Sequence, residues 1–292
     1  MKPPAGTRET LDPEHPLFGL GYAHPVERRT FVRVDETRAG PGEATVAEEV
    51  PVALAYNGRP HVVMMCTPAD IEDFARGFTL TEEIVRHRSD IGAVVAVKYS
   101  QGIEVAIAIP ESDADALVDR GRALVGRTGC GLCGVTTIGD ALRAGNRITT
   151  RATSTLTTAA LFSAASALPA RQIYNDGTGA IHGAAWALAD GSLALVREDV
   201  GRHNALDKLI GAMLLAGIDP STGFALVTSR ASYELVQKCA VAGIVALAAI
   251  SRPTGLAVRM AEAAGIGLAA LVRGRSANFY AHPERFGVDV TA

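Results

Sequence analysis

Aromatic residues are scarce in this chain of 292 residues, at 5% with a single Trp. That scarcity excludes the stacking platforms on which single-stranded bases bind. There is no basic excess either. Against 28 Lys and Arg stand 31 Asp and Glu, a formal charge of −3, which excludes bulk nucleic-acid binding. Long hydrophobic runs are missing, and the longest, 240–250, is too short to span a bilayer. Residues 1–25, rich in Pro, Gly and charge, lack the apolar run of a signal peptide. A loose tail over 1–25 is therefore expected, on a cytoplasmic protein that meets neither membrane nor nucleic acid. No repeat with a period of about 20 to 50 residues exists, so a solenoid is excluded.

Four cysteines are too few and too unevenly spaced for a disulfide scaffold. Cys66 closes the apolar run Val62-Val63-Met64-Met65 and Cys239 lies in a helical pattern, so both read as buried packing residues. A zinc site needs two ligands beyond one C-x-x-C, and neither a second C-x-x-C nor the order H-x-E then P-C-x-x-C occurs. Ser229 and Ser232 lack a G-x-S-x-G elbow. Gly177, Gly179 and Gly183 miss the dinucleotide fingerprint and read as a turn, and His182 beside them stays ambiguous on a buried hairpin.

What is present is concentrated in three places. The first is Gly126-Arg127-Thr128-Gly129-Cys130-Gly131-Leu132-Cys133-Gly134-Val135, with four glycines in nine residues around two cysteines. Glycine this dense implies a mobile loop over 126–136 instead of the helix start of a redox C-x-x-C, and Arg127 nearby favours a thiolate. Thiols on such an arm suggest a group passed between partners.

The chain order supplies the surface for that transfer. Residues 26–125 read as an α+β subdomain with meander-like pairing. It has a weak strand over 27–35, a hairpin of 50–56 with 60–66 across Asn57-Gly58, and a second hairpin of 94–99 with 103–109. Thr67-Pro68 reads as the cap and first position of a helix with Phe74, Phe78, Leu80 and Ile84 on its apolar face. A further helix over 113–124 leads into the cysteine loop. Residues 137–292 change rhythm. A helix over 157–168 and a hairpin of 180–188 with 192–196 precede alternating helix and strand. The short apolar strands 224–228, 244–250 and 267–272 imply an α/β subdomain with a largely parallel sheet covered by helices.

Ligands bind beyond the carboxyl ends of strands in such sheets. The strands are followed by Ser229-Arg230, by Ser251-Arg252-Pro253-Thr254 and by Arg273-Gly274-Arg275-Ser276. If they are neighbours, three or more guanidiniums converge on one edge, each a fork suited to phosphate. The third concentration, Glu198-Asp199-Val200-Gly201-Arg202-His203-Asn204, falls between a strand and a helix. Helix N-terminal amides there attract anions, and the dipole keeps His203 neutral and able to accept a proton. A purely structural alternative stays open, in which Asp199 caps the helix and Arg202 pairs with Glu198.

These segments resemble the FdhD family. The resemblance rests on Glu48-Glu49-Val50-Pro51-Val52-Ala53-Leu54, on the cysteine loop, and on the run from Glu198 to Lys208. Ser229-Arg230-Ala231-Ser232-Tyr233-Glu234-Leu235-Val236-Gln237-Lys238 and Tyr280-Ala281-His282-Pro283-Glu284-Arg285 also carry it. It implies a cytidine-deaminase-like C-terminal subdomain without that superfamily's zinc site. It also implies a sulfurtransferase, in which a cysteine desulfurase passes sulfur through a persulfide on Cys130, with Cys133 as its partner. The sulfur goes to the molybdenum of bis(molybdopterin guanine dinucleotide) cofactor, which serves the catalytic subunit of formate dehydrogenase. Leu271, Val272, Arg273, Gly274, Arg275 and Ser276 match the cofactor-contacting segment. Family members tend to end it in Gly-Arg, whereas here Gly274-Arg275 comes one position earlier. Ser229, Arg230, Arg252, Arg202 and His203 complete the expected binding set, GDP is the expected mimic, and a homodimer is expected. A cofactor-binding chaperone would need the arginines without the cysteines. A thiol–disulfide oxidoreductase would need the cysteines without the arginines.

Overall fold

The structure is a computed structural model that describes residues 13–122 and 155–289. The loop 126–136, with Cys130 and Cys133, lies outside the described residues. In the first lobe, β3 (Val50–Tyr56) and β4 (Arg59–Cys66) form the hairpin expected at Asn57-Gly58, where φ is 48° and 80°. Positive φ at both turn residues matches the twist of the flanking strands. β5 (Val94–Tyr99) and β6 (Gly102–Ile107) form the second hairpin. The hairpins join through parallel pairing of β3 with β6, giving the order β4-β3-β6-β5 instead of a meander. A parallel join needs a long crossover, and α1 (Ile71–Thr81) supplies it. Phe74 and Phe78 pack α1 on Val50, Val52, Leu54, Val105 and Ile107. α1 starts after Asp70, so Thr67 is not its cap. α2 (Glu111–Arg122) closes the lobe, with Glu111 accepting from Asn57 Nδ2 at 2.8 Å.

Two features were not expected. β1 (Val26–Val34), close to the weak strand expected over 27–35, pairs along its whole length with β2 (Ala39–Ala47), a strand not read from the sequence, which contains Pro41 and two glycines. Leu20–Tyr22, inside the segment expected to be a loose tail, forms a 3-10 turn with Gly21 buried against the carbonyls of Tyr99 and Gly102.

The second lobe begins with α3 (Thr158–Ala167), capped by Thr157 Oγ1 accepting from Ala160 N at 3.1 Å. There follow β7 (His182–Leu188), β8 (Leu193–Asp199), α4 (Arg202–Leu215), β9 (Gly223–Val227) and α5 (Tyr233–Ala242). The lobe ends with β10 (Ala246–Ala249), α6 (Gly255–Ala264), β11 (Gly267–Arg273) and β12 (Ser276–Ala281). The order is β12-β11-β10-β9-β7-β8. Only β9, β10 and β11 run parallel; the β7–β9, β7–β8 and β11–β12 pairings are antiparallel. The sheet is therefore mixed, because hairpins flank the three strands whose crossovers are helical. β9 and β10 are wholly buried, as their apolar runs require. Among the described residues no helix is long and apolar enough to cross a membrane.

The lobes are joined where α1 crosses α4. A Cβ on Gly77 would stand 1.8 Å from the Asp207 carbonyl oxygen, and one on Gly211 would stand 1.9 Å from that of Asp73. Backbone therefore meets backbone at both points. Gly77→Ala is expected to destabilise by about 1–3 kcal/mol or more, since neither helix can yield locally. Gly40→Ala, where nothing lies within 4 Å, is the control and should stay within about 0.5 kcal/mol. Urea unfolding measures both; equal effects would show that the crossing is not tight.

Candidate functional site

β8 runs antiparallel to β7, and β7 antiparallel to β9, so β8, β9, β10 and β11 all end at one edge while β7 begins there. That edge collects His182, the first turn of α4, and the segments following β9, β10 and β11. Backbone bonds lace these segments together past the strands. Ile250 N donates to Val227 O at 2.9 Å, Thr254 N to Ala231 O at 3.0 Å and Leu271 N to Ser251 O at 3.1 Å. The expected convergence of arginines is present. Arg230, Arg252, Arg273 and Arg275 are exposed at this edge, and none pairs with a carboxylate among the described residues. Cations gathered without acidic partners are suited to an anionic ligand.

The β11 segment is more specialised than a loop after a strand. Leu271 takes φ of 55° within a register shift between Ala270 and Arg273, and Gly274 at φ 56° turns the chain into β12. A non-glycine residue in the left-handed region costs about 1–3 kcal/mol, and a bulge re-aims the side chains after it. Arg273 and Arg275 thus stand on a hairpin turn, with Ser276 opening β12 opposite Arg273. Ser229 is buried, and its hydroxyl donates to Arg230 O at 3.1 Å, so it supports the loop instead of facing out.

Asp199 fixes the start of α4 from below. Its Oδ1 accepts from Gly201 N at 2.8 Å and Asn204 Nδ2 at 3.0 Å; its Oδ2 accepts from Thr67 N at 3.0 Å and meets Lys208 Nζ at 2.7 Å. Neither part of the structural alternative holds. Asp199 does not cap α4, whose N-cap is Gly201, and Glu198 accepts from the backbone of Tyr174 and Asn175 at 2.9 and 2.8 Å, not from Arg202. Arg202 Nε is enclosed without a hydrogen-bond partner, as is the hydroxyl of Ser232, the N-cap of α5. Enclosed polar atoms in native structures are seldom left so, and a ligand is one way of completing them.

His203 lies in the first turn of α4. Its Nε2 contacts the carboxylate of Glu234 on the first turn of α5, with side chains 13% and 16% exposed. Glu234 and Ser232 were quoted in the sequence only as part of a longer motif, because nothing local reveals that two helix starts share one edge. His182 is half-buried at the same edge; burial, then the Arg202 charge, lowers its pKa, so the neutral ring is favoured. Cys66 and Cys239 are the expected packing residues, both buried, with burial pushing both thiols well up.

The arrangement belongs to a known fold. A crystal structure described as that of a formate dehydrogenase accessory protein from Desulfotalea psychrophila matches with a TM-score of 0.71. The match covers 89% of this chain and 98% of that one at 23% identity, a likeness of fold. The FdhD/NarQ family model matches residues 47–287, and the chain belongs to that family. It is 49% identical over 270 residues to the "Sulfur carrier protein FdhD" of Bordetella petrii, covering 90% of this chain and 96% of that one. It is also 49% identical over 275 residues to the protein of the same name from Cupriavidus necator, covering 93% and 94%.

The Glu234 contact makes stability depend on pH. Burial alone would raise this carboxyl, but the His203 contact, with the charges of His203, Arg202 and Lys238, holds it below its ordinary 4.5. A carboxyl depressed on folding contributes stability that is full above pH 4.5 and lost as pH falls through the folded value. Glu234→Gln should therefore be less stable than wild type near about pH 7, with the gap closing by about pH 3. Urea midpoints at the two pH values check this; a constant gap contradicts it.

Proposed function

We propose that this chain is a sulfur carrier with sulfurtransferase activity, acting in the cytoplasm on the molybdenum cofactor of formate dehydrogenase. Its relatives named as sulfur carrier proteins support the class. The observation that carries the cofactor reading is the set of arginines without acidic partners among the described residues on one sheet edge. The strand order β8-β7-β9-β10-β11 supports reading the second lobe as cytidine-deaminase-like. In this reading a Cys130 thiolate attacks the terminal sulfur of a cysteine desulfurase persulfide. The new bond forms at Cys130 as the old S–S bond breaks, and the desulfurase thiolate leaves. Delivery to the molybdenum of bis(molybdopterin guanine dinucleotide) cofactor would be at the sulfide level, the Cys130–sulfur bond breaking as the Cys130–Cys133 disulfide forms and supplies the two electrons; Arg230, Arg252, Arg273 and Arg275 would receive the client's phosphates. The functional unit is a homodimer that meets the desulfurase and the formate dehydrogenase catalytic subunit.

Mass spectrometry after incubation with desulfurase and cysteine should find one added sulfur on Cys130. Cys130→Ala should lose it, and formate dehydrogenase matured with that variant should be inactive. A Cys130–Cys133 disulfide formed with no sulfur added to Cys130 and no sulfide released, unchanged thiols, or normal maturation by the variant would overturn the reading.

The edge is tested separately with GDP. Phosphate contacts are charge-dominated, so calorimetric affinity should fall as salt rises from about 0.05 to 0.5 M and the Debye length shrinks. Arg252→Ala should weaken binding at low salt. No binding, or binding indifferent to salt, would remove the phosphate site.

A further inference from the structure

His203 and Glu234 stand far apart in the sequence, yet they meet because α4 follows β8 and α5 follows β9, strands that end on the same edge. Both side chains are largely enclosed, and the imidazole presents Nε2 to the carboxylate. An Nε2 lone pair facing an ionised carboxylate would be repelled, whereas an Nε2–H would be attracted, so this contact selects the tautomer with hydrogen on Nε2. The lone pair of the neutral ring is then on Nδ1. Among the described residues no hydrogen bond to Nδ1 is formed, and the enclosed Nε2 meets Glu234 as a charge contact without hydrogen-bond geometry. A proton taken up there would give an imidazolium held against the Glu234 carboxylate. This is the logic of a base oriented by a third group.

A plain tie between two helices would explain the contact but not its surroundings. Arg202 Nε on the same turn as His203, and Ser232 Oγ two residues before Glu234, are enclosed and lack partners. A closed structural tie would be expected to satisfy its neighbours, as the Asp199–Lys208–Thr67 cluster on the inner side of α4 does. His182 and Arg202 both act electrostatically within this group, and Lys238 reaches Glu234 from one turn further along α5. Polar atoms left open on one side and satisfied on the other mark the side from which a ligand comes.

We propose that Glu234 is a positioning residue: it holds His203 with hydrogen on Nε2 so that Nδ1 serves as proton acceptor for a thiol or hydropersulfide brought to this edge. The proton leaves sulfur for Nδ1, the S–H bond breaking as the N–H bond forms. The sulfur is left as the anion, and no oxidation state changes. The proposal rests on the sulfur-carrier reading for the identity of the acid. Its structural half, the tautomer, stands apart from that reading.

The test uses the full chain labelled with 15N at histidine, as wild type, Glu234→Gln, Glu234→Asp and His203→Asn. The last assigns the His203 signals. Long-range proton–nitrogen spectra should show His203 as the Nε2–H tautomer in wild type and Glu234→Asp. In Glu234→Gln the population should shift away from it, and GDP should perturb Nδ1. In cells, formate dehydrogenase maturation should fall at least about ten-fold with Glu234→Gln, a modest part of what general acid–base catalysis contributes, and recover in part with Glu234→Asp. An unchanged tautomer in Glu234→Gln overturns the positioning role, and a shifted tautomer with normal maturation overturns the proton-acceptor role. Should Glu234→Gln not fold, failed maturation by folded Glu234→Asp with an unshifted tautomer would overturn it as well. If wild type never acquires sulfur on Cys130, the sulfur reading falls while the tautomer result still decides the positioning role.

Discussion

Lys208 has no exposure, and its ammonium is fully used. It meets Asp199 Oδ2 at 2.7 Å and donates to the carbonyls of Thr67 and Glu198 at 3.0 and 3.1 Å. An ammonium has three protons, so the group is satisfied within the protein. Thr67 joins β4 to α1, Glu198 and Asp199 end β8, and Lys208 lies on α4, so one cation fixes three segments from two lobes. Removing one member of a buried pair typically costs about 3–5 kcal/mol because the other charge is stranded. The second buried cation works alongside it: Lys238 meets Asp207 at 2.9 Å and Glu82 at 2.7 Å, tying α5 to α4 and to the end of α1. Opposing pulls from burial and from the carboxylates end with the lysine raised and firmly charged. The close crossing at Gly77 and Gly211 is what brings these groups within reach.

The parts of the fold legible from the sequence are those with strong local chemistry. Asn57-Gly58 dictated its turn, and the apolar runs at β9, β10 and β11 their burial. β2 was illegible because an exposed two-stranded ribbon buries little, so its sequence carries no alternation and keeps Pro41 and its glycines. β12 was hidden by Gly274-Arg275, read as a ligand loop when it is also a hairpin turn. Missing β12 and the sense of β7 made the sheet look more parallel than it is. Thr67 misled for a different reason. Thr before Pro is a sound local signal for a helix start, but here Thr67 Oγ1 accepts from Val200 N at 3.1 Å, a contact 133 positions away. Tertiary demand outweighed local preference.

The site divides in the same way. Arginines after three strands were visible because strand ends are places that a sequence marks, and the strands prove to be neighbours. Leu271 was named from the resemblance alone, and its φ of 55° now supplies a physical reason for a special backbone there. Glu234 was not singled out because a Glu in a first helical turn is ordinary, serving the helix dipole wherever it falls. Its partner becomes visible only when strand order is known. Cys130 and Cys133 rest on the sequence, being outside the described residues.

The two sides of α4's first turns show how a rigid frame and an open site can share one stretch of chain. Toward the lobe junction, Asp199, Asn204 and Lys208 have their polar atoms paired, with Asn204 Nδ2 donating to Met65 O at 2.9 Å. Toward the sheet edge, Arg202 keeps an enclosed nitrogen without a partner. An unsatisfied buried donor costs about 1–3 kcal/mol, which a frame fixed so firmly on its other side can tolerate. A chain with net charge −3 also has the acids to neutralise its arginines, yet Arg230, Arg252, Arg273 and Arg275 have none paired with them among the described residues. Four exposed guanidiniums thus gather at one edge of a chain whose net charge is negative. Such a distribution draws an anion to the strand ends without making the whole surface attractive to polyanions.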